Sequence, residues 1–182
     1  EEEGVRTVFG YPGVAICPFF NSILDSDIKT VLIRTEQNAA HAASGVARMT
    51  GRPGVCAVTS GPGATNVITG IATAFADSIP LICITGQVNS DVFQEADITG
   101  AVESFVKYSY LVKNVNDIPR VFREAFYIAN TGRKGPVLID IPIDIQNATI
   151  KNFHYPEEVN LRTYKPTVKG HAVQIKKVIR EL

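Results

Sequence analysis

Three short stretches carry residue types that could do chemistry. Glu36 stands where an apolar run, Lys29 to Arg34, gives way to a helical pattern over Glu36 to Met49. A carboxyl group set there among apolar and small residues is partly desolvated and able to share a proton with a ring nitrogen. The commoner role of a glutamate in a first helical turn is to complement the helix dipole, and position alone favours that role. The second stretch is Gly61-Pro62-Gly63-Ala64-Thr65-Asn66, a glycine turn that closes an apolar run and opens into a helix. Such a corner can offer backbone N–H groups to an anion or polar ligand, although many are ordinary tight turns. It is not a dinucleotide fingerprint, because Asn66 stands where a third small residue is needed. Nor does a Lys-Ser/Thr pair follow to make a triphosphate loop. The third stretch is Gly10-Tyr11-Pro12-Gly13, a turn at the end of the first short apolar run.

Placing these corners together requires strands that end at one edge of a sheet. Aliphatic and β-branched runs predict strands at Thr7–Phe9, Lys29–Arg34, Val55–Val58, Leu81–Thr85, Tyr108–Val112 and Val137–Ile141. Helices are expected over Ala15–Leu24, Glu36–Met49, Ala64–Ala76 and Ile118–Asn130, with an irregular stretch from Gly86 to Asp97. Alternating strands and helices imply an α/β fold, a doubly wound parallel sheet with helices on both faces and right-handed connections. Open sheets of this kind bind ligands beyond the carboxyl ends of their strands. One face of the Glu36 helix carries Ala39, Ala40, Ala42, Ala43, Gly45 and Ala47, small enough for another helix or backbone to approach closely. Helix propensity explains the same alanines equally well.

With 18 basic and 18 acidic residues in 182, no broad basic field points to nucleic acid or an anionic membrane. No apolar run approaches the roughly 20 residues of a membrane-spanning helix. Cys17, Cys56 and Cys83 lack metal-like spacing and read as buried, reduced thiols of a cytoplasmic protein. Residues 1–148 form one expected domain, and 149–170, with Pro156 and Pro166, an extended linker. Residues 171–182 have the spacing of a helix that begins a further domain. Glu1-Glu2-Glu3-Gly4 reads as the last turn of a helix, so the chain is expected to be a piece of a longer polypeptide.

Taken in order, VFGYPG (Val8–Gly13), Glu36-Gln37, VTSGPGATN (Val58–Asn66), DSIPL (Asp77–Leu81), ITGQV (Ile84–Val88), FQEADITG (Phe93–Gly100) and GPVLIDIP (Gly135–Pro142) cover nearly the whole chain. This series resembles the N-terminal, pyrimidine-binding domain of acetolactate synthase (acetohydroxyacid synthase), a thiamine diphosphate enzyme. The resemblance implies decarboxylation of pyruvate and condensation with a second 2-oxoacid to give 2-acetolactate. It implies that Glu36 hydrogen-bonds N1′ of the aminopyrimidine ring and favours its imino tautomer, as the main catalytic group. Pro12 and Gly13 match the turn against the pyrimidine, and Gly61, Pro62, Gly63 and Asn66 the second cofactor corner. Phe93 and Gln94 match residues lining the substrate channel, with Gln94 a polar contact to substrate or intermediate. By default, however, Phe93 is a core residue and Gln94 a surface one. No metal ligand falls in this chain: Mg²⁺ on the diphosphate, and FAD where the enzyme holds it, belong to other domains.

The resemblance further implies a homodimer or higher homo-oligomer in the cytoplasm and an isolated fragment without activity. It leaves open whether FAD is bound and whether a regulatory subunit joins. Departures from the family pattern fall at Val14 (glycine expected), Thr35 (histidine), Ile143 (lysine) and a shortened junction between Val88 and Asp91. Two other readings stay open. One is a different thiamine enzyme, such as a pyruvate oxidase or a 2-oxoacid decarboxylase. The other is a non-catalytic module that binds an anion at the Gly61 turn and uses the alanine face for self-association.

Overall fold

The computed structural model describes residues 1–88 and 96–182. Six strands form one sheet: β1 (Thr7–Tyr11), β2 (Lys29–Leu32), β3 (Gly54–Val58), β4 (Leu81–Gln87), β5 (Tyr108–Leu111) and β6 (Pro136–Pro142). Every pairing is parallel, in the order β2-β1-β3-β4-β6-β5. The helices are α1 (Cys17–Ile23), α2 (Glu36–Thr50), α3 (Pro62–Asn66), α4 (Ile68–Ala76), α5 (Ile98–Ala101), α6 (Ile118–Asn130), α7 (Ile143–Asn147) and α8 (Ala172–Glu181).

Period-two alternation divides the core into two layers. Val8, Val55, Ile82, Ile84, Val137 and Ile139 face one side, with Ile16 and Ile23 at the α1 end and Ala125 and Phe126 of α6. Cys56, Val58, Leu81, Cys83 and Leu138 face the other, under Ala39, Ala40 and Ala43 of α2 and Ile71 and Ala74 of α4. The central strands β3, β4 and β6 are buried along their whole length, which explains their near-continuous apolar sequences. Burying each large aliphatic side chain there contributes roughly 1.5–3 kcal/mol.

The handedness rule accounts for which helix lies where. Crossovers that run one way along the sheet, β1 to β2 and β5 to β6, carry α1 and α6, both on the first face. Crossovers that run the other way, β2 to β3 and β3 to β4, carry α2 and α4 on the second. A single connection hand requires this segregation.

Three expectations need correction. The first helix begins as a single 3-10 turn, Val14–Ile16, before α1. The helix expected over Ala64–Ala76 is two helices, α3 and α4, meeting at Val67. Cys17 is exposed; only Cys56 and Cys83 are buried, paired in register on β3 and β4. At the first position of α1, Cys17 points away from the sheet that sequesters the other two. Of the small residues on α2, Ala39, Ala40, Ala43 and Ala47 are almost wholly buried, the first three in the layer shared with β3 and α4, whereas Gly45 is exposed with open space beside it.

The segment after α7 has no regular element up to α8, yet it is tied down. Lys107 Nζ donates to the carbonyls of Ile128 and Thr131 and to Tyr164 Oη. The Tyr155 hydroxyl and Arg123 both donate to Glu3 Oε1, at 2.7 and 2.9 Å. No helix among the described residues is long and apolar enough to cross a membrane.

Candidate functional site

Strand order reverses between β1 and β3: the chain steps from β1 outward to β2 and then returns to β3 on the other flank. Tyr11 and Val58 are register partners, so the turns after β1 and β3 leave the sheet at the same level. Those turns are Pro12-Gly13 and Gly61-Pro62-Gly63. Glu36 opens α2 just after β2 ends, at the same edge. The topological switch point thus assembles all three stretches singled out from the sequence.

Each corner has a local cause. Gly61 adopts φ 55° and ψ −124°, a conformation that a side chain opposes, and Pro62 then supplies the preset φ of a first helical position. This turns the chain sharply into α3, whose final residue, Asn66, faces α2. Asn66 Nδ2 donates to Glu36 Oε2 at 3.0 Å. The other oxygen, Oε1, lies 3.4 Å from the point where a β-carbon on Gly63 would stand. Among the described residues no donor is recorded to Oε1. The Glu36 residue is half-buried, with one oxygen engaged and one in reserve beside a glycine.

An ideal β-carbon on Gly13 would lie 2.6 Å from Thr59 Cβ, and one on Gly63 would lie 2.6 Å from Thr59 Cγ2. Both are far inside contact distance, so the two corners close directly onto Thr59. Sequence reasoning passed over Thr59 because a threonine at a strand end needs no special explanation.

The corner after β3 is poorly suited to the anion-binding module. Helix α3 is five residues long, Pro62 has no N–H, and the N–H groups of Gly63 and Thr65 already donate to the carbonyls of Ser60 and Gly61. A single turn carries little of the helix dipole.

Two further groups support this edge. Gln146 of α7 donates through Nε2 to the carbonyls of Ala15 and Ile141, both at 2.7 Å, and accepts from the Phe19 N–H. It thereby ties the turn after β1 to the end of β6. Thr85, Gln87 and Asp140 form a polar cluster inside the sheet, each at most 4 % exposed. Asp140 accepts from Thr85 Oγ1 at 2.7 Å and from Gln87 Nε2 at 3.4 Å. Burial pushes its carboxyl up to about 6, against the opposing hydrogen bonds from Thr85 and Gln87, and the Asp97 carboxylate adds to the rise. The signal for this cluster was available: polar residues stood inside fully buried apolar strands, where each must find a partner.

Gln87 also donates to the carbonyl of Ala96 and accepts from the Val88 N–H, so the cluster touches both residues that flank 89–95. Phe93 and Gln94, together with the shortened junction after Val88, lie outside the described residues. Of the departures from the family pattern, Val14 and Thr35 are exposed and Ile143 half-buried. The described residues hold no group of three or more His, Cys, Asp or Glu able to bind a metal ion. An apolar cavity of about 350 Å³, lined by Val8, Phe19, Val55, Ile84, Phe122 and Phe126, lies on the α1 and α6 side of the sheet and includes none of these corners.

A switch-point glutamate beside a glycine corner lies where open parallel sheets place their ligands. Residues 1–105 match the family described as thiamine pyrophosphate enzyme, N-terminal TPP binding domain, and the chain belongs to that family. It is 50% identical over 187 residues to the acetolactate synthase large subunit of Buchnera aphidicola subsp. Schizaphis graminum, covering 99% of this chain and 33% of that protein. It is 51% identical over 188 residues to the acetolactate synthase large subunit of Haemophilus influenzae, covering 100% of this chain and 33% of that protein. Against the acetolactate synthase isozyme 3 large subunit of Escherichia coli the identity is 49% over 188 residues, with 100% and 33% covered. The chain spans about a third of the length of these curated relatives.

Proposed function

We propose that this chain is the part of an acetolactate synthase large subunit that holds the aminopyrimidine of thiamine diphosphate, in an enzyme that joins pyruvate to a second 2-oxoacid. The observation that carries the reading is Glu36: one carboxylate oxygen held by Asn66, the other against Gly63 with no donor among the described residues, at the sheet's switch point. The relatives at about half identity across the whole chain supply the particular reaction.

The residues present fit the cofactor. Oε1 of Glu36 is a hydrogen-bond partner in reserve, and the Pro12-Gly13 and Gly61–Gly63 corners bring backbone rather than side chains to the same edge. When bound, thiamine diphosphate supplies a nucleophilic carbon and an electron sink for the decarboxylation of a 2-oxoacid. Glu36 holds or releases a proton at Oε1 toward the ring nitrogen, while Asn66 fixes the carboxylate through Oε2. Gly13 and Gly63 let the two corners close onto Thr59, where a side chain would collide, and Gln146 keeps the first corner seated. Phe93 and Gln94 are assigned to the substrate channel on the family pattern.

In this reading the diphosphate, its Mg²⁺ and any FAD are held by parts of the cytoplasmic enzyme beyond this chain. The working unit is a homo-oligomer whose pockets are completed by a neighbouring subunit. The test is Glu36→Gln in the full-length enzyme, assayed for acetolactate from pyruvate. Loss of at least about 100-fold is expected for removal of a proton-transferring group. Turnover near that of the unmodified enzyme would refute the role. Acetyl phosphate or free aldehyde as the main product would favour a related oxidase or decarboxylase.

A further inference from the structure

Nothing in the proposed chemistry requires a particular residue at position 59, yet both glycine corners close onto it. A β-carbon on Gly13 would fall 2.6 Å from Thr59 Cβ and 2.7 Å from both Cγ2 and Oγ1. A β-carbon on Gly63 would fall 2.6 Å from Thr59 Cγ2, with Glu36 Oε1 next at 3.4 Å. The branched end of Thr59 therefore lies against both turns, its methyl 2.7 and 2.6 Å from the β-carbon positions of Gly13 and Gly63. Threonine is branched at Cβ and stiff at χ1, so it resists compression as a longer, unbranched side chain would not. No hydrogen bond to the described residues is recorded for its hydroxyl, so its contribution within the protein is through shape.

We propose that Thr59 is a positioning residue: its Cγ2 methyl sets the separation of the Pro12-Gly13 and Gly61–Gly63 corners and so where Glu36 meets the cofactor ring. This rests on the site being the pyrimidine end of a thiamine diphosphate pocket. A shift of even a fraction of an ångström in such a constellation is costly, because misplacement by 1 Å can lose about 100-fold.

The geometry also predicts a rescue. Gly63→Ala alone drives its methyl into Thr59 Cγ2. With Thr59→Ala in the same chain that methyl enters the vacated space, where its nearest neighbours are Glu36 Oε1 at 3.4 Å and Thr59 Cβ at 3.7 Å, ordinary contacts. The two changes touch the same space, so their effects should not add.

The experiment is calorimetric titration of thiamine diphosphate, with Mg²⁺, into the full-length apoenzyme and its variants, beside thermal unfolding of each apoenzyme. Thr59→Val keeps the branched shape and should bind within about twofold of the unmodified enzyme. Thr59→Ser and Thr59→Ala lose the methyl and should bind about tenfold more weakly, as should Gly63→Ala. Their apo melting temperatures should fall by no more than about 4 °C. The double variant Thr59→Ala with Gly63→Ala should recover most of the affinity. Weak binding by Thr59→Val with normal binding by Thr59→Ser would overturn the proposal in favour of a hydroxyl contact. Unchanged binding by every Thr59 variant, or affinity lost only in step with melting temperature, would also overturn it. Absence of binding by the unmodified enzyme would remove the reading of the site and the role of Thr59 together.

Discussion

Two carboxylates stand at the same edge of this sheet and lead different lives. Asp140, inside β6 two residues before its end, is 1 % exposed, and both of its oxygens accept from side chains of β4. Glu36, at the start of α2, is half-buried, and among the described residues only one of its oxygens has a partner. The first has its hydrogen-bonding spent on β4; the second keeps one oxygen to which no described residue donates. Burial alone would have selected Asp140 as the reactive group, since its carboxyl is the one pushed up to about 6. Surroundings decide otherwise: Asp140 faces Thr85 and Gln87, whereas Glu36 faces a glycine corner. A perturbed acid locked into its own strands is a structural acid.

The contrast can be broken or sharpened by substitution, and the largest effect belongs to Glu36. Glu36→Gln in the full-length enzyme should lower acetolactate formation by about 10²–10⁴-fold. The apo melting temperature should barely move, because the new amide oxygen can still accept from Asn66. A large loss of stability in that variant would make Glu36 a structural acid too, and the comparison would fail.

Asp140→Asn should act on stability and on its pH dependence. Because the folded protein holds the Asp140 proton more tightly than the unfolded chain, this group's stabilising contribution is complete below the ordinary carboxylate value. It is lost as pH rises through about 6. The total is about 3 kcal/mol, from the rise of roughly two pK units. Urea denaturation at several pH values across that window should show the decline in the unmodified protein and a flatter profile in the variant. Equal slopes in the two would show that Asp140 does not titrate in this window.

Smaller changes address the corners. Gly61→Ala forces a side chain into φ 55° and ψ −124° and should cost about 1–3 kcal/mol, read as a melting temperature several degrees lower. Asn66→Ala frees Oε2 of Glu36 at an exposed site and should cost no more than about 1 kcal/mol. Its effect should appear as a modest fall in turnover with little change in melting temperature. If Asn66→Ala equalled Glu36→Gln in effect, the carboxylate would depend on that one bond for its placement.

Much of the architecture was legible because it follows from period and punctuation. The apolar runs at Lys29, Val55, Leu81 and Val137 are strands, within a residue or two at their ends. Glu36 is the first residue of α2, and Ile118–Asn130 is α6 as expected. Local chemistry misled where two signals merged. The pattern from Ala64 to Ala76 hid the break at Val67, and the apolar neighbours of Cys17 disguised a residue that faces outward. The site was only partly visible: Pro12, Gly13, Gly61, Gly63 and Glu36 announced themselves by type, but Thr59, Gln146 and the Thr85–Gln87–Asp140 cluster did not.

The residues themselves determined that the chain alternates strand and helix, that glycine corners follow the first and third strands, and that an acid opens the second long helix. Those are local matters, set by side-chain period, β-branching and the conformations that only glycine tolerates. Tertiary structure decided which corners meet. Strand order placed β1 beside β3, register brought Tyr11 level with Val58, and the turn into α3 swung Asn66 onto Glu36. No spacing along the chain encodes those distances, because they arise from how a twisted sheet and its two helical layers close over a shared core.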